Sequence, residues 1–359
     1  MNLNRSVLVT RFLVTTLPPR IRHHMQETDI NWETLDRLRS RFLQSGANSG
    51  VYWQSEDDLA HYHATFAARI GWKWDNALAL ATQAGFQLRS HSLFDWGCGS
   101  GIAALRVLDF FGPDAFDKVQ LWDHSALACR FAQKTIQDAY PSLEVEIAPA
   151  PTSQFPIHNS LILVSHALNE LGYEAQQQLS EQLKSAAQII FVEPGDHASS
   201  RKVIAQREAL LNEFQIDAPC THCDACPMLK EENQRHWCHF FGKPPIEAFT
   251  EGFWSRFAQT MEIDLRSLPY SFLALSNKSL PASTDRPQAP AASRLIGRPR
   301  QFKGYTRLLS CDAAGLRDLE LQKRDDKQLW KALKKEQSTL FRWQEIEDAT
   351  NRLKSGETI

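Results

Sequence analysis

Four of the seven cysteines and three of the twelve histidines stand in one short window, from residue 218 to residue 243. Its cysteines have the spacing C-x2-C-x2-C-x11-C, at Cys220, Cys223, Cys226 and Cys238. Thiolates are soft ligands, and four of them suit a tetrahedral zinc or an iron–sulfur cluster. A window this polar cannot bury four unliganded thiols in a core of its own. The spacing therefore predicts a metal site and leaves the choice of metal open.

A glycine-rich turn is the second chemical motif. The stretch "LFDWGCGSGIAAL" places Gly97, Gly99 and Gly101 between an apolar strand and a helix. Glycines in this position let the backbone turn tightly and approach a ligand closely, with the helix N-terminus beyond. The spacing G-x-G-x-G differs from the dinucleotide fingerprint G-x-G-x-x-G. It resembles the first motif of S-adenosylmethionine-dependent methyltransferases.

A carboxylate follows the next predicted strand. In "VQLWDHS", Asp123 stands 22 residues beyond Gly101, where it can accept hydrogen bonds from both ribose hydroxyls of a cofactor. Asp95 is expected near the amino acid end of that cofactor, or as a brace for the loop. The predicted cofactor-binding residues are Asp95, Gly97, Gly99, Gly101 and Asp123.

The sequence indicates the site of the methyl acceptor less clearly. Methyl transfer needs an acceptor held in line with the sulfonium, and often a group that takes up a proton. The fourth predicted strand ends in "VSHALNEL", which lacks the Asn/Asp-Pro-Pro-aromatic element of enzymes that methylate exocyclic amines of bases. His166, Asn169 and Glu170 are the polar groups there, with helix capping as the alternative to catalysis. No residue is assigned as catalytic.

Alternating short apolar runs and helical stretches from residue 90 onward predict βαβ units and a parallel sheet. The predicted fold is α/β: a Rossmann-like methyltransferase sheet with a helical N-terminal lead-in and a Cys-rich metal-binding insertion. The amphipathic stretch "DKQLWKALKKEQSTLFRWQEIEDATNRL" predicts one closing helix. The predicted regions are 1–88 (helical), 89–215 (cofactor-binding core), 216–265 (Cys-rich insertion), 266–325 (late sheet strands with a basic loop) and 326–359 (C-terminal helix).

Composition indicates an ordinary globular protein, with 43% apolar and 23% charged residues and a formal net charge of −2. No apolar run is long enough for a membrane span. The first 26 residues contain four arginines and no acid, as mitochondrial presequences and ordinary basic helices do. Clustered cysteines fit a reducing compartment. We expect a cytoplasmic protein, with the mitochondrial matrix as the alternative.

A basic segment lies near the C-terminus. From Arg286 to Cys311 there are six basic residues and no acid, with Phe302 and Tyr305 interleaved. Such a stretch suits RNA phosphates and unstacked bases. A solvated loop, or pairing with acids such as Glu231 and Glu232, is the alternative. The predicted RNA-binding residues are Arg294, Arg298, Arg300, Lys303 and Arg307.

Several stretches together resemble one family. They are "CTHCDACP", "WCHF" and "RPRQFKGYTRLLSCDAAG", supported by "VSHALNEL" and "FVEPG". The family is that of methyltransferase-like mitochondrial small-ribosomal-subunit proteins and assembly factors, which has bacterial members. The likeness covers most of residues 90–320.

The resemblance implies a [4Fe–4S] cluster on Cys220, Cys226, Cys238 and Cys311. The sequence departs from the family at Thr221, where proline is usual, and at Cys223, an additional thiol that could replace Cys311 as the fourth ligand. His222 and His239 could instead serve zinc. The radical S-adenosylmethionine spacing C-x3-C-x2-C is absent, so the cluster is not expected to cleave the cofactor.

We therefore expect a methyltransferase-like protein that binds S-adenosylmethionine and an iron–sulfur cluster and docks on ribosomal RNA of the small subunit during assembly or translation. Whether it methylates RNA stays open, because catalysis does not follow from a fold. The alternative is a small-molecule methyltransferase with a structural zinc. We expect no membrane partner and favour a monomer.

Overall fold

The computed structural model describes residues 29–44, 53–150, 157–281, 292–336 and 338–359. The basic N-terminal stretch, Arg286 and most of the Pro- and Ala-rich segment "KSLPASTDRPQAPAAS" lie outside these ranges. No helix in the described part of the chain is long and apolar enough to cross a membrane.

A mixed sheet carries the glycine turn. Five of its strands are parallel, in the order β3-β2-β1-β4-β5, and β8 lies antiparallel between β5 and β6. Its central strands are apolar runs buried on both faces, as parallel sheets require. The strands are β1 (Ser92–Trp96), β2 (Lys118–Trp122), β3 (Glu144–Ile147), β4 (Leu161–Ser165), β5 (Gln188–Pro194), β6 (Phe214–Ala218), β7 (Phe240–Phe241) and β8 (Pro269–Asn277).

Helices cover both faces of the sheet, which confirms the α/β class. Apolar residues of α3, α4 and α5 form the core on one face, and those of α6 and α7 form the core on the other. Helices α1 and α9 contribute to a third cluster around Leu35 and Trp254. The helices are α1 (Trp32–Gln44), α2 (Glu56–Tyr62), α3 (Ala68–Gln83), α4 (Ile102–Phe111), α5 (Ala126–Ala139), α6 (Tyr173–Leu183), α7 (His197–Leu210), α8 (Glu247–Thr250), α9 (Gly252–Thr260) and α10 (Lys327–Lys334).

A closed five-stranded barrel forms the C-terminal part, with the strand order β10-β11-β13-β12-β9. Leucines of the barrel strands and of α10 fill its interior, together with the fully buried Phe341. Side chains of β10 alternate strictly between buried and half-buried, as expected for a barrel wall. Its strands are β9 (Ala292–Gln301), β10 (Tyr305–Asp312), β11 (Gly315–Gln322), β12 (Leu340–Glu347) and β13 (Arg352–Thr358).

The barrel corrects two predictions. The helix predicted for 326–359 is wrong, because it ends at Lys334, Glu336 adopts a positive φ of 50°, and two strands follow. The late strands predicted for 266–325 join the sheet only through β8. Strands β9, β10 and β11 close on β12 and β13 instead, because this pairing leaves no open strand edge in the barrel.

Candidate functional site

The glycine turn follows β1 directly. Gly97, Gly99 and Gly101 adopt φ values of 72°, 51° and 79°, a backbone region that favours glycine. A side chain at Gly101 would meet the Cβ of Ala132 on α5 at 3.0 Å, so this glycine lets two helices approach. A side chain at Gly99 would meet nothing within 4 Å, because Gly99 borders open space.

Asp123 joins the end of β2 to this turn. Its Oδ2 accepts a hydrogen bond from the Gly99 backbone N–H at 3.0 Å, and its Oδ1 accepts one from the Ser125 N–H at 2.8 Å. The two bonds fix the carboxylate plane and leave lone pairs for further donors. His124 Nδ1 lies 3.3 Å from Oδ1 and is half exposed.

A cavity of about 340 Å³ opens between the glycine turn and the ends of β2 and β4. Gly97, Gly99 and Asp123 line it, and two tryptophans whose ring centroids are 4.9 Å apart, Trp96 and Trp122, form part of its wall. A planar, partly apolar ligand with hydroxyl groups fits this lining.

Asp95 lies beneath the turn and does not line that cavity. Its carboxyl group is fully buried, and its Oδ2 accepts a hydrogen bond from the Ala104 N–H at 3.3 Å. Burial raises the pKa of Asp95 to about 7, the bond from Ala104 opposes this, and the nearby Asp123 adds to it. This bond ties Asp95 to the first turn of α4, and both predicted roles of Asp95 stay predictions.

A second cavity of about 230 Å³ adjoins the first, and the two share lining residues that include His166 and Glu170. On the other side it is lined by Arg69 and Lys73 of α3. Lys73 Nζ lies 3.3 Å from His166 Nε2. Burial lowers the pKa of Lys73 to about 7, and the Arg69 charge lowers it further, whereas Glu193 and Asp196 oppose this.

Glu193, at the end of β5, holds the loop that follows β4. Its Oε1 accepts hydrogen bonds from the backbone N–H groups of Ala167 at 2.9 Å and Leu168 at 3.0 Å. Burial raises the pKa of Glu193 to about 8, against these two bonds. The bonds fix the segment that carries His166, whose φ of 53° is unusual for a residue other than glycine.

The sequence alone did not indicate Arg69 and Lys73, and the partner of Lys73, His166, lies 93 residues further along the chain. One feature of the sequence does single out Lys73. Lys73 stands between Trp72 and Trp74 in a strongly apolar helix, and a lysine in such a position is seldom buried without a reason.

Three chain segments bring four cysteines together. Cys220 and Cys226 lie in the loop after β6, Cys238 lies just before β7, and Cys311 lies on β10 of the barrel. Burial raises the pKa of the Cys226, Cys238 and Cys311 thiols, and a charge on Cys220 raises each of them further, so the four thiols are electrostatic neighbours. Cys223 is exposed, and its charge raises the pKa of the Cys220 thiol.

Two buried arginines frame these thiols. Arg207 donates hydrogen bonds to the backbone oxygens of His222 at 3.3 Å and Asp224 at 2.7 Å, and its charge acts on the Cys220 thiol. Arg294 donates from Nε to the Pro219 oxygen at 2.7 Å. Burial raises the pKa of the Cys220 thiol, and the charges of both arginines oppose this, which favours the thiolate.

Arg294 corrects the predicted RNA interface. It is only 4% exposed and also donates to Thr339 Oγ1 at 2.8 Å, so it holds the cysteine loop against the barrel and is not available to RNA. The first five residues of β9 are all buried, and Arg294 is one of them.

Several buried polar atoms beside Cys220 have no hydrogen-bond partner among the described residues. They are Thr221 Oγ1, both ring nitrogens of His222 and Arg207 Nε. Leaving such a group unpaired costs about 1–3 kcal/mol. The described residues contain no group of three or more His, Cys, Asp or Glu side chains that could hold a metal ion.

The other predicted RNA-binding residues lie on the barrel surface. The Arg298 guanidinium lies over the Phe241 ring, 4.1 Å from its centroid. Arg300 and Arg307 both pair with Asp318, at 2.8 and 2.9 Å. Lys303 is exposed in the turn between β9 and β10.

Together, the strand order, the glycine turn and the Asp123 carboxylate define a methyltransferase-type α/β protein. The model of the family described as mitochondrial small ribosomal subunit Rsm22 matches residues 59–338. The chain belongs to this family. A comparison with curated proteins finds no match.

Solved structures with a similar fold include two methyltransferases. The plantazolicin methyltransferase BamL is 11% identical, with 70% of this chain and 100% of that chain covered and a TM-score of 0.39. The magnesium protoporphyrin IX methyltransferase of Synechocystis PCC 6803, solved with bound cofactor, is 12% identical, with 69% and 97% covered and a TM-score of 0.36. The class rests on the strand order and on the family match.

Proposed function

We propose that this protein binds S-adenosylmethionine in the larger cavity and works on the small ribosomal subunit, in its assembly or in translation. The observation that carries the cofactor proposal is the position of Asp123. Its carboxylate faces the cavity while two backbone N–H groups hold it still. Fixed acceptors at the end of β2 suit a pair of ribose hydroxyls.

The smaller cavity supports an acceptor site next to the cofactor. S-adenosylmethionine supplies an electrophilic methyl group when it is bound. On the protein side, Lys73 is buried and lines this cavity, and its pKa of about 7 leaves much of the amine neutral near neutral pH. A neutral amine at this wall can take up the proton that an acceptor releases. The geometry thus supports a methyltransferase activity, and the proposal that RNA is the acceptor depends on the family description.

We further propose a [4Fe–4S] cluster on Cys220, Cys226, Cys238 and Cys311. The convergence of four thiols from three segments supports it, as do the two flanking arginines and the unpaired polar atoms around Cys220. The family resemblance implies this cluster, whereas zinc with Zn–S bonds of about 2.3 Å stays the alternative. Exposed Cys223 is less suited than Cys311.

The description of the family supports association with the small ribosomal subunit, and it favours the mitochondrial matrix over the cytoplasm as the compartment. Ribosomal RNA is the expected contact, through the exposed cations Arg298, Arg300, Lys303 and Arg307 of the barrel. Such contacts act through phosphate charge and weaken with salt.

Calorimetry with S-adenosylhomocysteine tests the cofactor proposal. We expect Asp123→Asn to weaken binding about tenfold or more, because a carboxylate that accepts from two hydroxyls is lost. Asp114→Asn, at an exposed aspartate, is the matched control and should bind as the wild type does. Equal affinities of the wild type and Asp123→Asn would refute the proposed site.

Transfer of labelled methyl groups to immature small subunits tests the enzyme proposal. Label that appears in ribosomal RNA with the wild type and disappears with Asp123→Asn supports an RNA methyltransferase. Binding to the subunit without label would make the protein an assembly factor that uses the fold without the reaction.

A further inference from the structure

The C-terminal barrel has a recognisable strand arrangement. Its first strand, β9, pairs with its second and fourth strands, β10 and β12. Its third and fifth strands, β11 and β13, pair in parallel, and α10 lies between the third and fourth. A closed five-stranded Greek-key barrel with this order and this helix is the OB-fold.

OB-folds bind single-stranded nucleic acids on the face of their second and third strands and on the adjoining loops. Here that face divides into two halves. Leu309, Cys311 and Leu316 pack against the core of the sheet, so the half that contains the fourth thiol is covered. The other half, toward Tyr305 and Gln322, faces outward, and the loop between the first two strands lies beside it.

A stacked pair of aromatic rings, called the Phe302–Tyr305 step below, lies at this loop. The rings of Phe302 and Tyr305 are stacked with centroids 4.7 Å apart and planes at 6°. The Phe302 N–H donates to the Tyr305 carbonyl at 2.9 Å, and Gly304 turns with a φ of 90°, so the two rings are held by a tight turn. Phe302 is 44% exposed.

Cations surround the step. Lys303 projects from the same turn, and the exposed Arg300 and Arg307 are held in place by Asp318 between them. Each guanidinium has five N–H donors, so a salt bridge to one carboxylate leaves donors for phosphate oxygens. An exposed ring stacked on a half-buried one, with fixed cations beside them, matches unpaired bases on a phosphate backbone.

We propose that the barrel is an OB-type module whose Phe302–Tyr305 step stacks the bases of single-stranded RNA. The proposal rests on the proposed RNA association and names its surface and the form of RNA. Unpaired RNA is favoured over a duplex because stacked bases of a helix offer no open ring face to Phe302.

Fluorescence anisotropy of the full-length protein tests this surface, with labelled oligouridine of about twelve nucleotides and a duplex of equal length as probes. We expect Phe302→Ala to weaken oligouridine binding about tenfold, and Phe302→Trp to restore it. Phe249→Ala is the matched control, since Phe249 is 50% exposed on α8. Lys303→Ala should lower the slope of log affinity against log salt by about one, whereas Phe302→Ala should leave that slope unchanged.

Two results would overturn the stacking proposal and leave the RNA association in place. In the first, Phe302→Ala binds oligouridine as tightly as the wild type does. In the second, the wild type binds duplex and single strand equally well. Wild-type protein that binds neither oligouridine nor isolated small-subunit RNA would overturn the RNA association as well. Because Phe302 lies at the surface, its variants should keep the wild-type melting temperature.

Discussion

The cofactor cavity and the cysteine site differ in how far apart their residues lie along the chain. The glycine turn and Asp123 belong to one β-α-β unit and are joined by a direct hydrogen bond. The four cysteines come from the loop after β6, the start of β7 and a strand of the barrel. The first site is a local property of the sheet, whereas the second joins the sheet to the barrel.

This difference separates binding from stability. A change at Gly99 or Asp123, which line the cavity, should affect cofactor binding and leave the rest of the fold in place. A change at Cys311 should affect how the barrel is held to the sheet, because metal binding is coupled to folding where the ligands come from separate elements.

Loss of Cys311 should have the largest effect on stability. We expect anaerobically purified Cys311→Ser to lose at least about 4 kcal/mol of unfolding free energy, since the cluster would lose its anchor on β10. Hydrogen exchange should then rise throughout β9 to β13. Cys223→Ser, at an exposed thiol, is the control and should change little. Similar losses in the two variants would break the proposed link between cluster and barrel.

Replacement of Lys73 should stabilise the protein in a pH-dependent way. The unfolded lysine keeps its proton up to about pH 10.5, whereas the folded one releases it near pH 7. Between these values the unfolded state binds more protons, so wild-type stability rises with pH. The charged and titratable groups near Lys73 are Arg69, His166, the buried Glu193 and the exposed Asp196.

Lys73→Met removes this linkage. We expect it to raise the unfolding free energy by about 2 kcal/mol at pH 7, after the lost contact with His166 is deducted, with the gain vanishing toward pH 10.5. Urea unfolding across this pH range measures the effect. A gain that is constant with pH would show that Lys73 is not forced to release its proton on folding.

The smallest effects are expected at two glycines of the turn, Gly99 and Gly101, where cofactor binding and stability can be separated. Gly101→Ala should destabilise the fold by about 1 kcal/mol more than Gly99→Ala, because only the former meets a neighbour in addition to the unfavourable φ. Affinity for S-adenosylhomocysteine should change in the opposite order, since Gly99 lines the cavity and Gly101 does not. Thermal unfolding and calorimetry on the same samples check both. Equal affinities would place the cofactor away from Gly99.

The local features were predictable from sequence. The α/β class follows from alternating apolar runs, and the glycine turn and Asp123 follow from motifs within one β-α-β unit. Contacts between residues far apart along the chain could not be predicted from the sequence. Lys73 contacts His166 only because α3 packs against the sheet. Cys311 was predicted as a ligand from the family resemblance and not from the spacing of the cysteines.

The barrel was missed for a physical reason. Leu329 and Leu333 lie on a real helix, and Leu340 and Phe341 continue its apolar spacing by coincidence, although they begin a strand. Apolar periodicity alone cannot show where one element ends. Closure of a barrel from strands separated by a helix depends on non-local pairing, which leaves no motif in a single segment.

Metal analysis of protein purified without oxygen is the most direct test of the proposed [4Fe–4S] cluster and of Cys311 as its fourth ligand. Iron, sulfide and zinc would be assayed, with the visible spectrum, on wild type, Cys311→Ser and Cys223→Ser. We expect brown wild-type protein with about four irons and matching sulfide, retained by Cys223→Ser and lost by Cys311→Ser. Colourless protein with one zinc, or iron that depends on Cys223 and not on Cys311, would contradict it.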